Sequence, residues 1–209
     1  ATLDSCGVCS GGNSDHVADS DIDCYGDCFG LCESMEISLL DGANLMSFQI
    51  LPEDKSVGNV LSIFGSNAIG IVGEGVAAAR LESGDWAGSL SMIDEGDGYW
   101  LRLIEPQTVN IIGYRTPQNL VYNLLDGANL ISYPLSISQG ISSSIPDEVE
   151  LSFISFIGES VAAVQLDLFN WQGSLNTLDP SKGYWVTLTE PVTFSFDISG
   201  NVILLNPET

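Results

Sequence analysis

The chain has 209 residues, 44% of them apolar, enough to build packed cores and too apolar for a disordered polymer. Asp and Glu number 28 against 5 Lys and Arg, a formal net charge of −23. The cations Lys55, Arg80, Arg102, Arg115 and Lys182 are scattered singly, so no basic stripe exists to displace phosphate counterions. Nucleic acid is thereby excluded as a partner, and anionic membranes are disfavoured.

No apolar run approaches the roughly 18 residues needed to span a bilayer, and no signal peptide is present. The chain opens at Ala1 without an initiator Met, as expected of a processed product or a fragment. An Asn-x-Ser/Thr acceptor is absent, which favours a bacterial or viral origin. Strong acidity suits solubility, salty surroundings or metal cations.

Residues 1–34 are a distinct block holding Cys6, Cys9, Cys24, Cys28 and Cys32 with six Asp and little apolar material. Such an arm needs cross-links, ions or a neighbouring surface to stay ordered. Disulfides among the five cysteines, one left over, are the favoured reading. A Cys₄ zinc site built on Cys6-x-x-Cys9 and Cys24-x-x-x-Cys28 is the alternative. Asp19, Asp21 and Asp23 alternate and can point three carboxylates at one hard cation, with the Tyr25 carbonyl and Asp27 as further ligands. Ca²⁺ is expected there rather than Mg²⁺. The string is not an EF-hand, because Cys24 replaces the turn glycine and Gly30 stands where the bidentate Glu belongs.

From Met35 onward the chain repeats itself with an offset of 85 residues. Leu39-Leu40-Asp41-Gly42-Ala43-Asn44-Leu45 returns as Leu124-Leu125-Asp126-Gly127-Ala128-Asn129-Leu130. Gly73-Glu74 recurs as Gly158-Glu159, Trp86 as Trp171, Gly98-Tyr99-Trp100 as Gly183-Tyr184-Trp185, and Glu105-Pro106 as Glu190-Pro191. This predicts two homologous units, 35–115 and 121–209, joined by a short linker at 116–120. Alternating apolar residues broken by Asp-Gly, Gly-Glu-Gly and Ser-Gly-Asp turns predict short antiparallel strands. Ser56 is expected to cap a helix with Val57, Val60, Leu61 and Phe64 on one face, and Pro146 to interrupt its counterpart. The fold class is therefore mainly β: two tandem small antiparallel domains, each with one short helix, preceded by an irregular Cys/Asp-rich arm. The run Val202–Leu205 reads as a last strand of the second unit, or as an addition to a neighbour's sheet.

The segment Asp4-Ser5-Cys6-Gly7-Val8-Cys9-Ser10-Gly11 resembles the D-x-C-G-V-C-x-G repeats of secreted bacterial proteins and of structural proteins of marine bacteriophages. Asp19-Ser20-Asp21-Ile22-Asp23 is similar to the calcium-binding strings of thrombospondin type 3 repeats. In the second unit Asn129-Leu130-Ile131-Ser132, Trp171-Gln172-Gly173 and Pro180-Ser181-Lys182-Gly183-Tyr184-Trp185 resemble the N-L-I-S, W-x-G and G-Y-W modules of large bacterial surface proteins. Both units lack the leading Trp of that pattern, which is Ala43 or Ala128 here. The first also lacks its Pro and Lys. The resemblance implies a building block of a surface structure, with no catalytic role established.

His16 is the only histidine, and any Ser-His-Asp or Cys-His mechanism would have to use it from within the acidic arm. The recurring Glu74/Glu159 and Glu105/Glu190 could serve glycoside cleavage. Turn residues copied along with the fold are the simpler explanation. Trp86, Trp171 and the two Tyr-Trp pairs read first as duplicated core. Strand alternation nevertheless sends the members of each pair to opposite faces, leaving Trp100 and Trp185 as candidate ligand platforms. The expected function is a non-enzymatic extracellular or virion-surface structural module. Its expected partners are itself or other surface proteins, as a homo-oligomer or filament. A glycan-binding adhesin is the alternative and a glycosidase the remote one.

Overall fold

The computed structural model describes residues 1–167 and 169–198. The apolar run Val202–Leu205 lies outside them. Within the described residues the protein is mainly antiparallel β.

The arm opens with β1 (Thr2–Leu3) paired to β2 (Cys9–Ser10). The first unit follows with β3 (Cys32–Leu39), β4 (Gly42–Met46), β5 (Ile50–Leu51), a helical turn α1 (Val57–Val60), a 3₁₀ turn (Leu61–Phe64), β6 (Ala68–Gly73), β7 (Val76–Arg80), β8 (Trp86–Gly88), β9 (Tyr99–Leu103) and β10 (Gln107–Arg115). The second contains β11 (Tyr122–Leu124), β12 (Gly127–Ser132), β13 (Gln139–Gly140), α2 (Ile141–Ser144), α3 (Asp147–Glu150), β14 (Phe153–Gly158), β15 (Val161–Asp167), β16 (Asn170–Gly173), β17 (Thr177–Leu178), β18 (Gly183–Leu188) and β19 (Val192–Phe194).

The duplication is carried through to topology. The first unit has a five-stranded sheet ordered β4-β9-β6-β7-β8, and the second has β12-β18-β14-β15-β16 with corresponding strands in corresponding places. Each sheet covers its own core. One core gathers Ile37, Phe48, Phe64, Ile71, Tyr99 and Leu101, the other Tyr133, Leu135, Phe153, Phe156, Tyr184 and Val186. The seven-residue identity has a local cause. Gly42 and Gly127 adopt φ of 84° and 85°, the left-handed region that costs glycine nothing. The Asn44 amide closes the same turn, accepting from Leu40 N–H and donating to the Leu40 and Gly42 carbonyls; Asn129 does likewise with Leu125 and Gly127.

Two expectations are refined. The helix expected after Ser56 is one α-turn that tightens to 3₁₀ at Leu61, and the Ser56 side chain makes no cap bond. Asp54 Oδ1 accepts the Ser56 N–H, and the Asp54 carbonyl accepts from Asn59. Pro146 does split the second helical segment, separating α2 from α3. The arm also runs straight into the first unit, because Cys32 is the first residue of β3 and pairs with Tyr114 of β10.

Candidate functional site

The arm is built on one loop used twice. Asp4 Oδ1 accepts the N–H groups of Cys6 and Val8, at 3.0 and 2.9 Å. Asp23 Oδ1 accepts those of Tyr25 and Asp27, at 2.9 and 3.0 Å. Around each aspartate the backbone closes identically, with Gly7 N–H to Asp4 C=O and Gly26 N–H to Asp23 C=O. The other oxygen of each carboxylate reaches across the arm, Asp4 to the Asp19 N–H and Asp23 to the Cys32 N–H. The Asp27 amide, foremost among these donors, holds the Asp23 carboxyl below the usual carboxylate range. Burial pulls the Asp4 carboxyl up, but the amides of Val8, Asp19 and Cys6 outweigh it and the net shift is down.

Disulfides Cys6–Cys28 and Cys24–Cys32 tie the two loops to each other and to β3, leaving Cys9 as an exposed free thiol. This pairing takes Cys6, Cys24 and Cys28, three of the four cysteines of the alternative zinc set, and leaves only Cys9 of that set as a thiol. Tyr25 lies against Tyr114 of β10 with ring centroids 5.8 Å apart, so the arm rests on the first unit.

The alternating aspartates do different jobs. Asp23 anchors its loop, Asp19 Oδ1 accepts the Ser5 N–H, and Asp21 Oδ2 sits 2.9 Å from His16 Nε2. Among the described residues, the ligating side chains within reach of one ion are Asp4, His16 and Asp21. Of the predicted string, only Asp21 belongs to that group. Asp23 accepts three amides, and the structure does not bring the carboxylates of Asp19, Asp21 and Asp23 together at one point. The same geometry bears on catalysis. Ser20 Oγ, at 3.4 Å, and both carboxylates converge on one ring nitrogen of His16. A nucleophile relay needs the acid and the hydroxyl on opposite ring nitrogens, which this arrangement does not supply.

The second constellation is the seam between the units, and here sequence reading missed a role. Glu74 and Glu159 sit at the tips of the β6–β7 and β14–β15 hairpins and reach across to the opposite unit. Leu130 N–H donates to Glu74 Oε2 at 2.7 Å, and Leu45 N–H donates to Glu159 Oε2 at 3.2 Å. Leu45 and Leu130 are 85 residues apart, as are the glutamates, so each contact is the mirror of the other. The pattern continues with Ser47 N–H to Ser181 C=O and Ser132 N–H to Gly96 C=O, both at 2.9 Å. Bridges pair Met46 with Lys182 and Ile131 with Asp97. Gly98 and Gly183 meet where the mirrored halves touch. A Cβ on Gly183 would lie 3.2 Å from the Gly98 Cα and 2.7 Å from the Met46 oxygen, and one on Gly98 would lie 2.8 Å from the Ile131 oxygen. This is an isologous contact made within one chain. Leu45 and Leu130 are buried yet belong to neither core, because they fill the seam.

The mirror is imperfect in charge. Asp97 has Lys182 as its counterpart. Burial, then the nearby Asp94 and Glu74 carboxylates, raise the Asp97 carboxyl to about 6. The recurrence of Gly-Glu at a fixed offset was the readable signal for the seam, but a copied turn produces the same letters.

The Tyr-Trp pairs split across their strands. Tyr99 and Tyr184 are buried, and their hydroxyls accept the N–H of Asp94 and Asp179. Trp100 and Trp185 are half-buried on the outer faces. Trp171 donates its indole N–H to the fully buried Glu150 at 2.7 Å, a carboxylate that the sequence did not single out. Glu105 and Glu190 lie exposed, Glu190 accepting from Ser152. No protein-family model, curated protein or solved structure matches the chain.

Proposed function

We propose that the protein is a non-enzymatic structural module of an extracellular or virion surface, acting through assembly with itself or with other surface proteins. The observation that carries this reading is the mirrored seam. A duplicated unit that spends its recurring glutamates on the other copy's backbone is organised to present a defined shape, with those carboxylates engaged rather than free for acid–base chemistry. The two disulfides fit oxidising surroundings outside the cell. Among the described residues no helix is long and apolar enough to cross a membrane. The arm, cross-linked and continuous with β3, is the natural attachment element. A divalent cation would enter this reading at the arm: Ca²⁺ at the string Asp19, Asp21, Asp23, Tyr25 and Asp27 is the expectation from sequence, and Asp4, His16 and Asp21 are the side chains that lie within reach of one ion.

The test is electron microscopy of the purified chain and of its native source, with light scattering at increasing concentration. Regular fibres, sheaths or lattices with the chain as a repeating unit support the proposal. A dispersed monomer, absent from every surface assembly of its source, sinks it.

A further inference from the structure

The two sheets carry the same outer-face tryptophan in different surroundings, and the difference points to a ligand. Along β9 the alternation that turns Tyr99, Leu101 and Leu103 inward turns Trp100 and Arg102 outward. On this face lies a recess of about 520 Å³, floored by Ala43, Gly70, Ala77 and Ala79 and bordered by Trp100 and Arg102. The cross-strand neighbours of Arg102 are Ala43 and Gly70, too small to cover its stem and without charge. Lys55 and Arg115 are paired with Glu95 and Glu33, but no carboxylate pairs with Arg102 among the described residues and none lines the recess. In a chain of net charge −23, the recess sets an unpaired guanidinium beside a lining without carboxylates.

The second unit serves as an internal control. It keeps Trp185, but Ser155, Val164 and Gln172 stand where the first unit has Gly70, Ala79 and Ala87, and Thr187 replaces Arg102. The space is narrowed and the cation is gone.

We propose that the recess binds a hexuronic acid residue of an acidic polysaccharide. The apolar face of the pyranose lies on the Trp100 indole, and the sugar carboxylate is taken by the Arg102 guanidinium. The two side chains stand two residues apart on one strand, about 7 Å, a separation that Arg's flexible stem adapts to the reach from sugar ring to carboxylate. Aromatic faces suit the C–H face of a pyranose, and the guanidinium fork matches a planar carboxylate bidentately. The site is independent of the scaffold reading, since either can fail alone.

The experiment titrates the full chain with trigalacturonic acid, with neutral cellotriose and with a sulfated galactose oligosaccharide, read by calorimetry and by indole N–H chemical shifts. Ionic strength is held at about 0.15 M, where the chain's net charge is screened beyond about 8 Å. Saturable binding of trigalacturonate is expected, weakened about tenfold or more by Arg102→Gln, abolished by Trp100→Ala and unchanged by Trp185→Ala. Trp100→Phe, with its fold checked by circular dichroism, should keep part of the affinity, separating loss of stacking from loss of structure. Absence of trigalacturonate binding overturns the proposal. So does equal binding of cellotriose, preference for the sulfated sugar, or loss of binding in the Trp185 variant instead.

Discussion

Both oxygens of Asp23 accept backbone N–H groups, so removing this one side chain strands the donors of Tyr25, Asp27 and Cys32 together. Asp23→Ala is expected to collapse hydrogen-exchange protection at those three amides, whereas Asp21→Ala should leave them protected. Equal effects from the two substitutions would return Asp23 to the status of one carboxylate in a string. The pH dependence separates arm from seam by sign. Asp4 and Asp23 titrate below their ordinary range, so what they contribute is present above the unfolded carboxylate range, near 4, and is lost as pH falls through their lowered folded values. Asp97 has the opposite sign. With a folded value of about 6, its contribution is intact below the unfolded value near 4 and is lost as pH rises through 6. Acid titration followed by amide exchange should therefore loosen the arm below about pH 4. Thermal melts should show stability declining between pH 4 and 6, and Asp97→Asn should flatten that second limb.

At the scale of single elements, the turn Leu40–Asn44 and the helical segment 141–150 show what the sequence could and could not disclose. The turn was legible because Asp-Gly demands a left-handed backbone and recurs letter for letter. The amide that closes it comes from the buried Asn44, and Asn44→Ala is expected to cost about 1–3 kcal/mol by leaving the Leu40 groups unpaired, measured by urea denaturation. The break at Pro146 was legible for the same reason, a fixed backbone rule. Glu150 was not, because its partner Trp171 is distant in sequence and the corresponding residue in the first unit is Gly65, so no recurrence flagged it. Glu150→Leu should cost about 1–3 kcal/mol by orphaning the indole N–H, while Glu150→Gln, which keeps an acceptor, should cost less. The arrangement of the aspartate string was not legible for a related reason. Alternation in sequence suggested a shared ligand sphere, but Asp23 is spent on amides one turn away and Asp4, fifteen residues upstream of Asp19, was invisible as its partner.

At the scale of the whole molecule, the duplicated units hold separate hydrophobic cores, so their coupling depends on the seam. That seam is narrow where Gly98 meets Gly183, and neither position has room for a methyl group. An alanine at either must push back a strand carbonyl, with a cost of about 1–3 kcal/mol as for other overpacked contacts. The opposed backbones also carry the mirrored bonds from Leu45 and Leu130 to the hairpin glutamates, and a displacement there lengthens both at once. The added methyls press on the margin of each core, at Met46 and Ile131, while core residues such as Phe64 and Phe153 are not among the atoms they would meet. The native chain is therefore expected to melt in one cooperative step, and the Gly98→Ala/Gly183→Ala chain in two, one for each unit. Calorimetry would read this directly, and exchange protection should fall at the Leu45 and Leu130 amides while persisting at Leu101 and Val186 inside the sheets. A double variant that still melts in a single step, at a temperature close to the native one, would mean that the units are joined by something other than this contact.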